Sequence, residues 1–586
     1  MAIEVLPPEV AAKIAAGEVV ERPASAVKEL IENAIDAGAT DIRIEIRDGG
    51  KRLIRVADNG CGIAADQASL AFARHATSKL HTLEDLDRIA TLGFRGEALA
   101  SIAAVSQVTM TTCARDEAMG MLLRLEGGQV VRRESHGCPP GTTITVENLF
   151  YNTPARRKFL RSDATENAVI ADLVTSYALA YPEIRFTMLN NDRLTFQTAG
   201  TGKLYDVLIK TYGLANAEKM IEFQEESEGL SLRGYISPPS LYQANRKGLL
   251  FFVNRRWVQD RSLSYAVEEA YHDLLPAHRY PLVVMDIRLH PAEVDVNIHP
   301  TKREIRFRDA RRVFAAVQRT VRHVLQKNVP IPVAQAQPTT AATFHWELPS
   351  QAMSRYVGQR ALDLQRTEDR LTPALTQQPT SRLPMLRVVG QLAQTYIIAE
   401  GPGGMYLIDQ HAAHERVVYE ELCGRKESNG AAGVSSGGKT SQIASQALLE
   451  PLVIELTPSQ SQVLEAYLPE MPTLGFAIVP FGVNAYRVQA VPTSLVGNYI
   501  ASGEIAATIV EMVEQAEGGN RPWKEEALIT IACHSAVRAG QTLSMPEMRD
   551  LVRQLEETST PHSCPHGRPT MIHFSAAQLE REFNRR

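Results

Sequence analysis

The stretch KELIENAIDAG (residues 28–38) gives the first indication of the architecture. Apolar residues recur in it and just before it at helical spacing, which predicts a helix with one buried face. These residues are Val27, Leu30, Ile31 and Ala34. Glu29 and Asn33 share another face of that helix because they are four residues apart. A carboxylate and an amide held side by side can align a water molecule and bind a cation.

Strand patterns follow this helix at once. DIRIEIR (residues 41–47) alternates between apolar and polar residues, which predicts a strand with one buried face. Residues 53–56 continue as a second strand. Helices and strands mixed at such short intervals favour an α+β fold.

Three glycine-containing segments accompany these elements. In DNGCG (residues 58–62), the Asp58 carboxylate can accept a hydrogen bond from an amino group, and the glycines let a ligand approach the backbone. GFRGEAL (residues 93–99) predicts a loop that opens a helix, where backbone N–H groups suit phosphate oxygens. GTT (residues 141–143) precedes another predicted strand. Each segment is weak evidence by itself, because a lone DxGxG is usually a turn.

Taken together and in this order, the four segments resemble the GHKL ATPases. That class includes type II topoisomerases, heat-shock chaperones, histidine kinases and MutL proteins. The surrounding strings are similar to the MutL family almost letter for letter, over about residues 1–330. These strings are AAGEVVERP (15–23), KELIENAIDAG (28–38), RHATSK (74–79), GFRGEAL (93–99), LFYNTPARR (149–157) and VNIHPTK (296–302).

The resemblance implies ATP bound in an α/β sandwich, and it implies a role for each matching residue. Glu29 would be the general base, Asn33 would hold magnesium, Asp58 would recognise adenine, and Lys302 of a second domain would reach the γ-phosphate. Residues 93–99 would form a lid over the phosphates. The implied nucleotide-site residues are Asn33, Asp58, Gly60, Gly62, Thr77, Lys79, Gly93, Phe94, Arg95, Gly96, Glu97, Ala98, Leu99, Thr143 and Lys302.

Composition changes along the chain predict four regions. We expect a GHKL ATPase domain over residues 1–210 and a second α/β domain over residues 211–330. Residues 331–384, rich in Pro, Gln, Thr and Ala, are typical of a flexible linker. The resemblance to MutL proteins implies that residues 385–586 form a C-terminal α/β dimerisation and endonuclease domain, and their Gly- and Ser-rich stretch at residues 424–445 predicts a mobile insert.

A basic amphipathic helix is predicted just before the linker. In RDARRVFAAVQRTVRHVLQK (residues 308–327), valines form an apolar stripe and arginines dominate the opposite face. That basic face is either a solvated surface or a surface that contacts DNA, and the sequence leaves both readings open.

The C-terminal region carries candidate metal ligands. DQHAAHE (residues 409–415) runs from a strand end into a helix, where His411 and Glu415 project from one face. Cys533 and CPH (residues 564–566) follow much later. Thiolate and imidazole favour zinc, whereas carboxylate and water favour manganese. A single His or Cys of this kind is more often an ordinary structural residue.

As a set, these residues resemble the DQHA-x-x-E-x-x-x-x-E motif of nicking MutL proteins. The ACH, CPHGRP and FxR elements of that class are also present, the last at residues 583–585. The resemblance implies a zinc- and/or manganese-dependent endonuclease in which Asp409 and Glu415 matter most for activity. His534 stands where family members often carry lysine, and His414 occupies a variable position of the motif. The implied metal ligands are Asp409, His411, Glu415, Glu420, Cys533, Cys564 and His566, and the favoured zinc ligands are His411, Glu415, Cys564 and His566.

A short peptide, QALLEPL (residues 446–452), resembles the Gln-x-x-Leu-x-Pro segment with which nicking MutL proteins bind the replication sliding clamp. Gln446, Leu449 and Pro451 would fill a pocket on that partner. The alternative is an ordinary strand start.

Bulk properties limit the remaining possibilities. The chain has 586 residues with a net charge of -5, so any contact with DNA must come from a local basic patch. Six scattered cysteines indicate a reducing compartment. With no signal peptide and no membrane-spanning stretch in the sequence, we expect a cytoplasmic protein without membrane contact.

The function that the resemblance to MutL proteins implies is DNA mismatch repair. The chain would act as an ATP-hydrolysing homodimer that closes around DNA, couples mismatch recognition by MutS to repair, and nicks DNA. The alternative is an ATP-dependent matchmaker without nuclease activity. Another GHKL enzyme, such as a topoisomerase subunit or a protein kinase, is disfavoured because no tyrosine-nucleophile domain and no phosphoacceptor-histidine helix stand out.

Overall fold

The computed structural model describes residues 16–17, 19–79, 91–93, 96–227, 229–272, 274–276, 279–295, 305–328, 384–428, 443–496, 502–518, 522–537 and 541–583. Almost all of the predicted linker lies outside this part of the chain, and so do Phe94, Arg95 and Lys302. Helices and strands are mixed both before and after the linker, so the expected α+β fold class is confirmed.

An eight-stranded mixed sheet forms the centre of the N-terminal region. Its strands are β1 (Asp41–Arg47), β2 (Leu53–Asp58), β3 (Gln107–Cys113), β4 (Gly120–Glu126), β5 (Gln129–His136), β6 (Gly141–Glu147), β7 (Arg185–Asn190) and β8 (Arg193–Gln197). They lie in the order β5-β4-β3-β6-β2-β1-β7-β8, with β1 antiparallel to β2 and parallel to β7. β1 buries Ile42, Ile44 and Ile46 alternately, as its sequence pattern predicts.

Helices cover this sheet. They are α1 (Pro23–Asp36), α2 (Ala98–Ala104), α3 (Pro154–Lys158), α4 (Asp163–Ala180), α5 (Leu204–Tyr212) and α6 (Leu214–Ala217). α1 starts with Pro23, whose missing N–H costs nothing there, and it ends before Gly38, which adopts a φ of 69°. The four apolar residues predicted to form its buried face are all in the core. The helix therefore leaves its other face for the site.

A second, five-stranded sheet follows in the order β13-β12-β15-β10-β9. Its strands are β9 (Ile221–Ser227), β10 (Leu230–Ile236), β12 (Leu249–Val253), β13 (Arg256–Val258) and β15 (Val283–Leu289). Short ladders join β11 (Tyr242–Gln243) to β14 (Tyr280–Pro281), and β16 (Val294–Asp295) to β17 (Arg306–Phe307). The helices are α7 (Arg261–Ala270) and α8 (Ala310–Asn328). α8 confirms the predicted amphipathic helix, because its valine stripe is buried.

The C-terminal region contains two sheets. A four-stranded sheet has the order β18-β19-β20-β24, and a three-stranded sheet has the order β21-β23-β22. The strands are β18 (Arg387–Leu392), β19 (Tyr396–Gly401), β20 (Gly404–Asp409), β21 (Ser445–Glu455), β22 (Ala477–Gly482), β23 (Ala485–Pro492) and β24 (Met571–Ser575). The helices are α9 (Gln410–Ser428), α10 (Pro458–Tyr467), α11 (Thr493–Val496), α12 (Ser502–Gly518), α13 (Trp523–Ser535), α14 (Met545–Glu556) and α15 (Ala576–Glu582).

Two details differ from the sequence-based expectations. α9 continues to Ser428 and so extends into the predicted insert, of which residues 429–442 lie outside the described part. The GTT segment does not precede a strand, because Gly141 is already the first residue of β6. Within the described ranges, every helix is too short or too polar to cross a lipid bilayer. The four predicted region boundaries stay predictions.

Candidate nucleotide and metal sites

The polar face of α1 carries the first candidate site. Asn33 Oδ1 accepts a hydrogen bond from Lys79 Nζ at 3.0 Å, and the same ammonium lies 2.6 Å from Asp36 Oδ2. Glu29 lies one turn earlier on this face, with its side chain 15% exposed. The structure therefore joins the predicted residue Asn33 to Lys79 of the RHATSK segment, 46 residues further along the chain.

Asp36 is a site residue that the sequence analysis missed. Its two carboxylate oxygens accept hydrogen bonds from the backbone N–H groups of Leu92 at 2.9 Å and Gly93 at 3.0 Å. The carboxylate is only 7% exposed. It therefore anchors the start of the predicted lid to the helix that carries Glu29. Its position seven residues after Glu29, on the same helical face, was the available signal.

Asp58 ends β2 beside a tight backbone crossing. Its Oδ1 accepts the Gly60 N–H at 2.8 Å. Burial raises the pKa of Asp58 to about 6, although hydrogen bonds from the backbone of Gly60 and Thr142 act in the opposite direction. A Cβ on Gly141 would lie 2.1 Å from the Asp58 carbonyl oxygen, so only glycine fits there. The structure also places Thr143 next to this site, paired with Ala57 in the β2–β6 ladder.

The remaining residues predicted for the nucleotide site contact neighbouring backbone or lie at the start of α2. Gly62 and Gly96 both have positive φ angles and touch backbone: a Cβ would lie 1.9 Å from Cys113 O and 2.5 Å from Ala76 O, respectively. Glu97 precedes α2, which begins with Ala98 and Leu99. Thr77 Oγ1 accepts the Lys79 N–H at 3.2 Å. These contacts bring the described end of the lid onto the RHATSK segment.

The second candidate site lies where α9 leaves β20. Two groups of ligand atoms each lie within 4.8 Å of one another: His411, Glu415 and Cys533 form one, and Glu415, Cys564 and His566 form the other. Five of the seven predicted ligands are thus brought together from three distant segments. Glu415 belongs to both groups and is 3% exposed. Two thiols, two imidazoles and one carboxylate are a donor set that suits zinc.

The protonation of this cluster follows from its packing. Burial alone raises the pKa of Glu415, but hydrogen bonds from His411, His566 and Cys533 outweigh it and hold that pKa well below its usual value. Glu415 in turn raises the pKa of His411. Burial and the Glu415 charge raise the pKa of the Cys533 thiol. A bound cation would reverse this last effect, because metals bind the thiolate.

Backbone contacts fix the orientation of the two histidines on α9. His411 Nδ1 lies 2.9 Å from Val537 O, which turns Nε2 toward Glu415 at 3.2 Å. His414 Nδ1 instead accepts the Val537 N–H at 2.9 Å. His534 points away to Glu511 at 3.1 Å.

Asp409 and Glu420 are not part of either ligand group. Asp409 Oδ1 accepts the backbone N–H groups of His411 at 2.9 Å and Ala412 at 3.0 Å, so it caps the start of α9. Glu420 accepts hydrogen bonds from Ser559 N at 2.7 Å and from Ser559 Oγ at 2.8 Å. The structure therefore assigns both carboxylates a visible structural task, and their predicted metal role stays a prediction.

The predicted clamp-binding peptide lies in β21. The pairing register of β21 with β23 shifts between Ala447 and Leu452, so the centre of the peptide forms an irregular part of the strand. Leu449 is fully exposed there, and Gln446 and Pro451 are exposed on either side of it. An apolar side chain held out in this way is available to a partner.

Protein-family models match three parts of the chain. A model described as "Histidine kinase-, DNA gyrase B-, and HSP90-like ATPase" matches residues 21–136. One described as "DNA mismatch repair protein, C-terminal domain" matches residues 208–326. One described as "MutL C terminal dimerisation domain" matches residues 389–543.

Curated relatives match over the whole length. The DNA mismatch repair protein MutL of Desulforudis audaxviator is 39% identical over 590 residues, covering 100% of this chain and 99% of the relative. The protein of the same name from Methanoculleus marisnigri is 40% identical over 597 residues, with 100% and 99% covered. Among solved structures, the Aquifex aeolicus MutL ATPase domain complexed with ADP is 28% identical, with 53% of this chain and 100% of that chain covered and a TM-score of 0.37.

Proposed function

The chain belongs to the MutL family of DNA mismatch repair proteins, with a GHKL-type ATPase domain and a C-terminal dimerisation domain. From this premise we propose that it is an ATP-hydrolysing homodimer that couples mismatch recognition by MutS to nicking of DNA at its C-terminal metal site. The observation that carries the nuclease part is the pair of ligand groups that share Glu415. Nicking of closed-circular DNA that is lost in a Glu415→Gln variant tests it.

In the ATPase part, each described residue has a task that its position supports. Glu29 deprotonates and orients the attacking water, and Asn33 offers an amide oxygen to a magnesium ion. Magnesium, when bound, neutralises charge on the phosphates. Asp36 and Lys79 connect the start of the lid to the helix that carries Glu29. Ordering of the lid can therefore change the position of the helix that carries the general base Glu29. This connection couples nucleotide binding to the conformation of the domain.

We expect ATP binding to weaken as the pH falls through 6, the approximate pKa of Asp58. The ionised carboxylate is the best acceptor for a hydrogen bond from the adenine amino group, and protonation weakens that acceptor. The dissociation constant for ATP at pH 5 should therefore be about ten times that at pH 7. ATP titrations at both values, with Asp58→Asn as the control, measure this change. The control should bind weakly with a much smaller pH dependence; an equal pH dependence in both proteins would argue against Asp58.

In the nuclease part, the shared carboxylate holds the two ligand groups together. His411 and Cys533 approach Glu415 from one side, and Cys564 and His566 approach it from the other. A cation held there supplies a Lewis acid for phosphodiester cleavage. Asp409, at the start of α9, lies beside the cluster and can help to position DNA or water. The matchmaker alternative draws its support from the capping role of Asp409 and the loop contacts of Glu420.

The homodimer has a suitable surface in the four-stranded sheet. Ile398, Leu407 and Ile572 are paired across β19, β20 and β24, on the opposite face from the buried Ile397 and Ile408. Ile572 is 54% exposed. Because the family model for this region is described as a dimerisation domain, we propose that a second copy of the chain covers this apolar face.

The net charge of the chain is negative, so contact with DNA needs a local basic surface. The exposed basic face of α8 is such a surface. We expect binding to weaken steeply with salt, and Arg319→Ala and Arg322→Ala each to reduce the slope of log affinity against log salt by about 0.9. Arg246→Ala is the matched control, because that arginine is already paired with Glu268 at 2.6 Å. Titrations between low and high salt measure the slopes. A flat salt response would refute the electrostatic account.

For the sliding clamp, Leu449 is the residue with the largest expected contribution. Leu449→Ala should weaken clamp binding at least about tenfold, as expected for the loss of a side chain that fills a central pocket. Val453→Ala is the control, since Val453 is also exposed on β21 but lies outside the peptide. Binding to the purified clamp measures both. Equal effects of the two substitutions would favour an ordinary strand over a recognition peptide.

A further inference from the structure

Next to Glu29 lies a buried polar chain that no motif in the sequence singles out. Lys28 Nζ lies 3.2 Å from Glu29 Oε1 and 3.0 Å from Glu32 Oε1. Tyr177 of α4 donates its hydroxyl hydrogen to the same Glu32 oxygen at 2.7 Å. Lys28 is 8% exposed, Glu32 2% and Tyr177 3%. Three side chains, those of Tyr177, Glu32 and Lys28, thus link α4 to the proposed general base.

The contact between Lys28 and Glu29 is not one that a helix provides by itself. Neighbouring residues project about 100° apart around an α-helix and do not face each other. The ion pair with Glu32, one turn later, directs the Lys28 ammonium along the helix axis, where the buried environment holds it. One ammonium therefore lies between two carboxylates, Glu29 and Glu32, which would otherwise repel each other on adjacent turns.

The hydroxyl of Tyr177 completes the arrangement. Burial, and secondarily the Glu32 charge, raises the pKa of Tyr177 well above its ordinary value, so it stays a neutral donor. Burial acts to lower the pKa of Lys28, but the charges and hydrogen bonds of Glu29 and Glu32 together raise it above its usual value, so the ammonium keeps its charge. Each member therefore keeps the donor or acceptor state that its contact needs.

We propose that Lys28, Glu32 and Tyr177 are positioning residues that hold the Glu29 carboxylate in the orientation in which it acts on water. This inference rests on the proposed role of Glu29 as general base. A base works only when its oxygen is held within hydrogen-bond reach of the proton that it removes. The three residues act on hydrolysis through Glu29 and not on nucleotide binding.

Steady-state ATP hydrolysis by the full-length protein tests this proposal. Tyr177→Phe, which removes one oxygen atom, should lower kcat about fivefold, and Lys28→Met at least about twentyfold. KM for ATP and the thermal unfolding midpoint of Tyr177→Phe should stay unchanged. Tyr271→Phe is the matched control, because it also removes a buried hydroxyl, one that donates to Ser237 O and belongs to the core of the five-stranded sheet. Should Lys28→Met not fold, Tyr177→Phe still decides the question.

A Glu29→Gln background separates this inference from the function on which it rests. Tyr177→Phe should have no further effect there in single-turnover hydrolysis, because its target is gone. An unchanged kcat in Tyr177→Phe, a rise in KM with normal kcat, or an equal loss in the Glu29→Gln background would each overturn the positioning role. Normal turnover by Glu29→Gln itself would instead overturn the proposed general base.

Discussion

A Glu29→Ala variant is expected to bind ATP normally and to hydrolyse it at least about a hundredfold more slowly, the usual scale for a lost general base. Glu29 lies on the polar face of α1, one turn before Asn33, with the lid start and Lys79 joined to that face. In the proposed site, residues other than Glu29 contact adenine and the phosphates, so the affinity for ATP should be unchanged. Hydrolysis rates and nucleotide dissociation constants, measured on the same preparation, check both halves.

Glu45→Ala is a suitable control for that experiment. Glu45 belongs to β1 and pairs with Arg43 and Arg55 on a solvent-accessible face of the sheet. The Glu45→Ala variant should hydrolyse ATP at the rate of the natural protein. Comparable losses in both variants would indicate general damage to the domain, and a normal rate in Glu29→Ala would reject the base assignment.

The local patterns of the sequence predicted much of the fold. The alternation of residues 41–47 predicted β1 with its bounds, and the valine stripe of α8 predicted the buried face of that helix. Such patterns report on burial, which repeats every two residues in a strand and every three to four in a helix. Sheet order has no comparable local signal, so the pairing of β1 with β7 across more than 130 residues could not be read from the sequence.

In the two candidate sites, too, contacts between residues close in sequence were predictable, whereas contacts between distant residues were not. Motif residues that are close in sequence, such as His411 and Glu415, were predicted as a pair and contact each other. Asp36 and Tyr177 were missed because their importance comes from contacts with Gly93 and Glu32, which only the folded chain brings near. For Glu420, the motif position predicts a ligand, and the fold adds hydrogen bonds from Ser559 and Thr560 that the sequence did not indicate; its metal role stays a prediction.

Glu415→Gln is expected to lower zinc affinity at least about a hundredfold. Loss of a residue that only supports a metal ligand usually lowers metal affinity about ten- to a hundredfold. Glu415 would itself be a ligand, shared by both groups. Glutamine keeps the shape of the side chain but removes the charge that His411, His566 and Cys533 surround. Metal content after dialysis and competition with a chelator measure the change.

His414→Gln is the control for metal binding, since His414 is on the same helix but outside both ligand groups in the described structure. Its metal content should match that of the natural protein. Full metal retention in Glu415→Gln, or an equal loss in both variants, would contradict the assignment of Glu415 as the shared ligand.

Nicking of supercoiled plasmid in the presence of manganese tests the account most directly, with the natural protein, Glu415→Gln and Asp409→Asn compared at equal ATPase activity. We predict that the natural protein converts the plasmid to the open-circular form and that Glu415→Gln does not. Loss in Asp409→Asn as well would add that residue to the nuclease site. Equal nicking by the natural protein and Glu415→Gln would contradict the account by placing the activity elsewhere, and no nicking by either protein would favour the matchmaker.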